Sequence, residues 1–347
     1  MTSKEKKLAE FNPNDLATGG KLFGLPFNEK ESDLVIIPVP WEATVSYRSG
    51  TAQGPLAVLE ASDQVDLYDY FNPDGWKHGF YLLEQDEDLL ELGRATRILA
   101  EKYLNSLAQG ELKLKTLEKV NQACSQMVKK VERTALSWLE QGKFVALLGG
   151  DHSIPLGFLQ ALAAHHKGFG ILQIDAHLDL RKAYEGFLFS HASIMYNALR
   201  IEAVTKLVQV GIRDYCLEEL QVVEQENARI KVFYDQSIKR SQLEGTNWSA
   251  ICEQIINELP SLVYISFDID GLQPWLCPNT GTPVPGGLEW EQVLMLLERV
   301  VDSGRKIIGF DLNEVSPGLN GDWDAAVGAR LLFRLCNIAM KSQNSTV

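Results

Sequence analysis

Cysteine is scarce in this 347-residue chain, and the five present (Cys124, Cys216, Cys252, Cys277 and Cys336) are scattered, odd in number and without a Cys-x-x-Cys pair. That excludes a disulfide framework or a zinc ribbon and fits reduced thiols. No basic stretch of the kind that tracks phosphates is present. Lys and Arg total 33 against 46 Asp and Glu, a formal net charge of -13, so nucleic acid is not an expected partner. No apolar run approaches the length of a membrane span, and Met1 to Asn14 is polar and charged, without an apolar leader core. Neither a signal peptide nor a membrane is expected, and the expected compartment is the cytoplasm. Repeats and low-complexity segments are lacking too. What remains is a hydrophobic fraction of 45% in regular runs, ample for a folded core.

The first strand signal is Leu34 to Val39, followed by a turn-rich loop through Ser46-Tyr47-Arg48-Ser49-Gly50-Thr51. Gly54-Pro55 then opens a helix, with proline in its first turn. Residues 84–111 and 115–141 are helical in pattern. Beyond them strands are expected at 144–149, 170–175, 207–212, 230–234, 262–268 and 306–312. Helices are expected at 155–166, 192–205, 217–225, 248–259, 288–303 and 324–341. Continuous apolar strands alternating with helices predict an α/β fold, a mostly parallel sheet covered on both faces. Residues 1–30 read as a polar arm packed on a neighbouring subunit, and 31–347 as a single domain.

Three of the apolar strands end in charged runs: Gly149-Gly150-Asp151-His152-Ser153, Asp175-Ala176-His177-Leu178-Asp179 and Ser266-Phe267-Asp268-Ile269-Asp270. Side chains alternate faces along a strand, so Asp175, His177 and Asp179 can point one way, as can Asp268 and Asp270. Carboxylates that close repel unless a cation or proton sits among them. Two imidazoles and four carboxylates make an oxygen and nitrogen ligand set for divalent metal, with room for more than one ion. Taken alone, the first run reads better as a strand-to-helix turn in which Asp151 or Ser153 caps the helix that begins near Pro155. The other two runs would be costly to bury without a cation. In such sheets ligands gather at the carboxyl ends of the strands.

The remaining histidines divide. His165-His166 sits at a helix end, where imidazoles meet exposed carbonyls, and His78, with no acidic constellation in sequence, reads as a surface residue. His191 follows Ser190 at a helix start; beside a metal site it becomes a proton shuttle. Glu314, in Asp311-Leu312-Asn313-Glu314-Val315-Ser316-Pro317 after the last strand, is either a loop residue or a carboxylate free to pair with a cationic substrate group.

In that order, His152, Asp175-x-His177-x-Asp179, Ser266-x-Asp268-x-Asp270 and Glu314-Val315-Ser316-Pro317 resemble the ureohydrolases, the family of arginase, agmatinase and formiminoglutamase. The likeness runs from about residue 34 to 340. Asn279-Thr280-Gly281-Thr282-Pro283 and Gly286-Gly287 agree with it. The resemblance implies a three-layer α/β/α fold and a binuclear centre, usually two Mn2+, with Ni2+ another candidate. It implies His152, Asp175, Asp179 and Asp268 around one ion and Asp175, His177, Asp268 and Asp270 around the other. It further implies a water of lowered pKa that attacks a guanidinium carbon, oriented by Asp179. Glu314 would hold the guanidinium and His191 would relay a proton to the leaving amine, giving urea. A homo-oligomer, trimer or hexamer, is the assembly it implies.

Within the family, Asp179 to Gly186 and Ser190 to Ser193 look most like agmatinase-type members, because the polar loop that arginases use for the α-groups of the amino acid is missing. Agmatine is therefore the expected substrate, with guanidinobutyrate, guanidine, arginine and formiminoglutamate as alternatives. Arg181 and Tyr184 are the expected substrate contacts at the pocket mouth. Two readings of Arg181 and Lys182 stand: they turn away into salt bridges, or they select a carboxylate tail. Gln273, Cys277 and Asn279 depart from the family pattern and bear on substrate choice and subunit contacts. A dinuclear phosphoesterase would need a phosphate clamp, for which only Arg181 and Lys182 are available. A non-catalytic subunit would show broken ligands, and none is broken.

Overall fold

The structure, a computed structural model, describes residues 1–17, 19–318 and 321–344. Eight strands form one sheet: β1 Leu34–Val39, β2 Phe80–Leu82, β3 Phe144–Gly149, β4 Phe169–Ile174, β5 Val204–Ile212, β6 Ile230–Tyr234, β7 Leu262–Asp268 and β8 Lys306–Asn313. Their spatial order is β2-β1-β3-β8-β7-β4-β5-β6. Every neighbouring pair is parallel, which sharpens the expectation of a mostly parallel sheet. Buried strand residues divide between the two faces with period two. Ala146 and Leu148 join one apolar core, and Val145 and Leu147 join the other.

Helices cover both faces, so the chain has the expected three layers. On one side lie α2 (Gly54–Ser62), α9 (Trp248–Asn257), α10 (Trp290–Asp302) and α11 (Trp323–Gln343), whose Val58, Ile251, Val293 and Leu331 belong to the first core. On the other lie α3 (Glu87–Ala108), α4 (Leu114–Leu139), α5 (Pro155–His165) and the short α6 (Ile194–Ala198), with Tyr103, Met127, Leu159 and Met195 in the second. α7 (Leu217–Gln225) packs Leu220, Val222 and Val223 on the second core, and α8 (Asp235–Leu243) borders the β5–β6 edge. Among the described residues no helix is long and apolar enough to cross a membrane, and all five cysteines are free.

Several elements differ from the sequence expectation. Residues 192–205 do not form one helix: α6 has five residues, and β-branched Val204 and Thr205 begin β5, with Val204 paired to Phe169. Strand β2 and helix α8 are unannounced by any strong pattern. The arm is not laid on a neighbour throughout. Leu22, Phe23, Leu25 and Phe27 are buried in this chain's own core, with the Phe23 ring 5.1 Å from that of Phe333. Ahead of them a charged helix, α1 (Ser3–Glu10), starts from a reciprocal cap between Thr2 and Glu5. Lys4 and Lys7 fasten it to Asp33 and Glu31. His78 is likewise not a bare surface residue, since its Nδ1 lies 3.0 Å from Asp33.

Candidate metal centre and substrate cavity

Four strands adjacent in the sheet, β3, β8, β7 and β4, deliver the acidic runs and Glu314 to one rim. The turn after β3 depends on glycine: a Cβ on Gly150 would stand 2.2 Å from the carbonyl oxygen of Trp41, so only glycine lets that loop lie against the end of β1. Asp151 does not cap α5. Its carboxylate instead accepts from the backbone and hydroxyl of Ser153, which fixes the turn that aims His152 inward.

The six predicted ligands meet. His152 Nδ1 lies 2.9 Å from Asp175 Oδ2, 3.1 Å from Asp179 Oδ2 and 3.3 Å from Asp268 Oδ2. His177 Nδ1 lies 3.1 Å from Asp270 Oδ2 and 3.5 Å from Asp175 Oδ1. Asp175 thus offers one oxygen to each group, and two triads, His152-Asp175-Asp179 and Asp175-His177-Asp270, can each hold an ion. His152 Nδ1 and Asp270 Oδ2 are buried without a hydrogen-bond partner although these atoms lie so near. Ligand atoms sit this way around a cation rather than around each other, so the donor set fits a pair of divalent ions.

The electrostatics agree. Burial pushes the Asp179 carboxyl up to about 7, with the neighbouring Asp175 charge adding to it. Burial, then Asp270 and Asp175, drive Asp268 well above the carboxylate range. Burial opposes the ionised form of Asp175, but His152 and His177 outweigh it and hold Asp175 low. Burial likewise opposes charge on His152, and the three surrounding carboxylates reverse that. A positive charge at the centre is what this cluster requires.

Supporting residues that sequence reasoning missed orient the ligands. His152 Nε2 is 2.8 Å from Ser266 Oγ, which donates to Asp311 Oδ1 at 3.1 Å. This chain assigns the Nε2–H tautomer and leaves Nδ1 free for metal. Ser266 and Asp311 are register partners on β7 and β8. Gln173 Nε2 donates to Asp175 Oδ2 at 2.7 Å, and Gln209 Nε2 donates to Gln173 Oε1 at 2.6 Å. The signal was available: a glutamine inside the apolar run of each of two strands, Gln173 in β4 and Gln209 after Leu207 and Val208 in β5, has to bond something. Arg213 completes the frame by donating to the carbonyl oxygens of Asp270, Leu272 and Val284.

Glu314 and Asp179 both adopt left-handed backbone, with φ of 62° and 55°, a strain that surrounding bonds must hold. Glu314 Oε1 accepts from the His152 backbone at 2.9 Å, and Thr280 Oγ1 donates to its carbonyl. The departure at Asn279 has a visible use. Its backbone and side-chain amides both donate to Asp324 on α11, which sets Thr280 against Glu314. Cys277 donates its thiol to the carbonyl of Ile269.

Beyond the ligands opens a cavity of about 200 Å³ lined by Ser46, His177, Asp179, Arg181, Tyr184, His191, Ala192, Asp214, Tyr215, Glu219 and Thr282. At ~30 Å³ per water it holds several waters or a small linear molecule. His191 is pushed down to about 3 by burial and by the charges of His177 and His152. Its ring stands 6.2 Å from that of Tyr184. The Arg181 guanidinium lies 4.8 Å over the same Tyr184 ring, and its Nε is 3.8 Å from Glu219 Oε2. Arg181 combines features of both readings: it lines the cavity and it faces Glu219. Lys182 is exposed and does not line the cavity. A larger hollow of about 660 Å³ lies beside β2 and residues 20–27, away from every ligand.

The fold and the site together define a metal-dependent hydrolase of C–N bonds in linear amidines. The model of the Arginase family matches residues 32–337, and the chain belongs to that family, whose enzymes use a binuclear divalent metal centre. It is 31% identical over 337 residues to an N(1)-aminopropylagmatine ureohydrolase of Synechocystis sp., covering 96% of this chain and 98% of that protein. It is 28% identical to an agmatinase of Pyrococcus horikoshii over 90% of this chain and 94% of that one. Among solved structures, the agmatine ureohydrolase of Thermoplasma volcanium shares the fold, with a TM-score of 0.70 at 23% identity over 99% and 100% of the two chains.

Proposed function

We propose that the chain hydrolyses the guanidino group of a small substrate with a cationic amine tail, agmatine first, to urea and a diamine. The observation that carries this reading is the charge of the cavity. Outside the metal ligands, Asp214 and Glu219 line it beside a single guanidinium, Arg181, which faces Glu219 and lies over the Tyr184 ring. Asp214 is exposed at the mouth, and an ammonium group there gains a carboxylate partner, whereas a carboxylate tail meets repulsion. Relatives named agmatinase and N(1)-aminopropylagmatine ureohydrolase support the amine tail.

Two divalent ions, manganese first and nickel second, are assigned to His152, Asp175, Asp179 and Asp268 and to Asp175, His177, Asp268 and Asp270. When bound, the ion pair lowers the pKa of a water and supplies the nucleophile at neutral pH. Glu314, buried at the rim, pairs with the guanidinium nitrogens and fixes the carbon to be attacked. Asp179 orients the nucleophile. His191, neutral at physiological pH, takes the proton released as water adds to the carbon and hands it to the departing amine nitrogen. The C–N bond to the tail breaks, leaving urea and a protonated amine.

The aminopropyl-extended homologue of agmatine is the second reading. Tyr215 is exposed at the cavity mouth and packs tilted against Tyr234 with centroids 5.2 Å apart, giving an aromatic face for a further ammonium. Urea release from agmatine, aminopropylagmatine, arginine and 4-guanidinobutyrate, after loading with manganese or nickel, tests both. Silence across that panel from metal-loaded protein overturns the proposal.

A further inference from the structure

The loop that carries Arg181 and Tyr184 into the cavity has little regular structure of its own. Between Asp179 and His191 it holds a tight turn, with Phe187 N donating to Tyr184 O at 2.8 Å. Two successive residues there have left-handed backbone, Glu185 at φ 53° and Gly186 at φ 90°. Such a turn keeps its shape only if the surroundings hold it. The grip comes from the α3–α4 hairpin. Asn121, on α4, donates from Nδ2 to Gly186 O at 3.1 Å and accepts at Oδ1 from Leu188 N at 2.8 Å. One primary amide therefore clamps the chain on both sides of Phe187, where the turn closes. Phe187 packs edge-on against Tyr103 of α3, with centroids 5.5 Å apart. From the opposite side, Asn197 on α6 donates to Leu188 O at 2.9 Å.

We propose that Asn121 is a positioning residue for substrate recognition. Through Gly186 and Leu188 it fixes the turn that holds Tyr184 between Arg181 and His191, and so sets the width of the cavity mouth. This rests on the reading of that cavity as the substrate pocket. It also gives the long charged hairpin a role in the site that it does not touch. No metal ligand contacts Asn121, so its loss acts on binding rather than on the metal centre.

The test joins hydrogen exchange of the full chain with steady-state kinetics on Asn121→Ala, Asn197→Ala and, as a control one residue along α4, Gln122→Ala. Asn121→Ala is expected to speed exchange in segment 181–190 while other segments keep their rates. It should raise KM for the best guanidino substrate roughly 5- to 10-fold, the scale of one or two net hydrogen bonds. Turnover number and bound metal should stay near the wild-type values. Asn197→Ala should do the same, and the double variant should fall short of the product of the two, because both grip Leu188. Gln122→Ala should change nothing. Unaltered exchange in 181–190 overturns the proposal, as does faster exchange with unaltered KM, or a loss of turnover and metal at constant KM. A wild-type protein inert toward every guanidino compound refutes the proposed function instead, and the exchange measurement then decides alone whether Asn121 holds the loop.

Discussion

Nδ1 of His152 stands 2.9 Å from Oδ2 of Asp175, although the strands that carry them, β3 and β4, are separated in the sheet by β8 and β7. The loops at the carboxyl ends of four strands therefore converge on one point, and Asp175 presents its second oxygen to His177.

Because Asp175 belongs to both ligand triads, Asp175→Asn should empty both metal positions together. Metal analysis after manganese loading should find less than one ion per chain, and urea release should fall to background. Thermal unfolding without metal should move to lower temperature. Against the opposing effect of burial, His152 and His177 hold the Asp175 carboxyl low, which makes its charge stabilising in the folded state. That carboxylate also accepts from Gln173 and the His177 backbone. A variant that still binds two ions contradicts the bridging role.

Asp311 acts one step away. It accepts from Ser266, which meets His152 Nε2. Replacing it by asparagine weakens the acceptor that fixes the imidazole, and supporting partners of this kind are worth about 10- to 100-fold in metal affinity. Titration of Asp311→Asn with manganese should show a loss of that size. An unaltered affinity would place Asp311 outside the site.

Glu314→Gln keeps the shape of the side chain and an oxygen that can accept from the His152 backbone. It removes the negative charge proposed to pair with the guanidinium. Metal content should be preserved while kcat/KM for the guanidino substrate drops by roughly 100-fold, consistent with a charge-assisted hydrogen-bonded pair lost in a buried setting. Lost metal with normal kcat/KM per bound ion would contradict the assignment.

The N-terminal helix supplies a pH test. Lys7 and Ser3 bond the Glu31 carboxylate and hold it at about 2, against an ordinary value of 4.5. A carboxylate depressed in the folded state stabilises it fully above the ordinary value, and that contribution fades as pH falls toward the folded one. Glu31→Gln should therefore melt below wild type at pH 7 by an amount that holds down to about pH 5 and narrows by pH 3. A gap that stays constant to pH 3 contradicts the pairing.

The centre was legible because ionisable residues at period two after an apolar strand are costly to bury unless a cation sits among them, and Asp175, His177 and Asp179 met that pattern. The parallel sheet was legible from its strands, since Leu34–Val39 and the run Leu262 to Ile265 are apolar without alternation. What stayed hidden depends on contacts distant in sequence. Nothing local tells Ser266 that it faces Asp311, or Gln173 that it braces Asp175. The direction of Arg181 is set by the left-handed turn at Asp179 and by Glu219 on another element. Helix α1 was missed because its charges suggested a solvated arm, while Thr2 and Glu5 capped it and the apolar Leu22 to Phe27 that follow were buried. Residues 192–205 read as helical on propensity, and pairing with β4 overrode that after Ala198.

The reading of the cavity turns on the charge of the substrate tail. The most direct test compares kcat/KM for agmatine and 4-guanidinobutyrate on the metal-loaded enzyme, in wild type and in Asp214→Asn. Wild type should favour agmatine by at least about tenfold, the scale of one ion pair partly shielded by water, and Asp214→Asn should narrow that ratio. A preference for 4-guanidinobutyrate, or a ratio that Asp214→Asn leaves untouched, would contradict it.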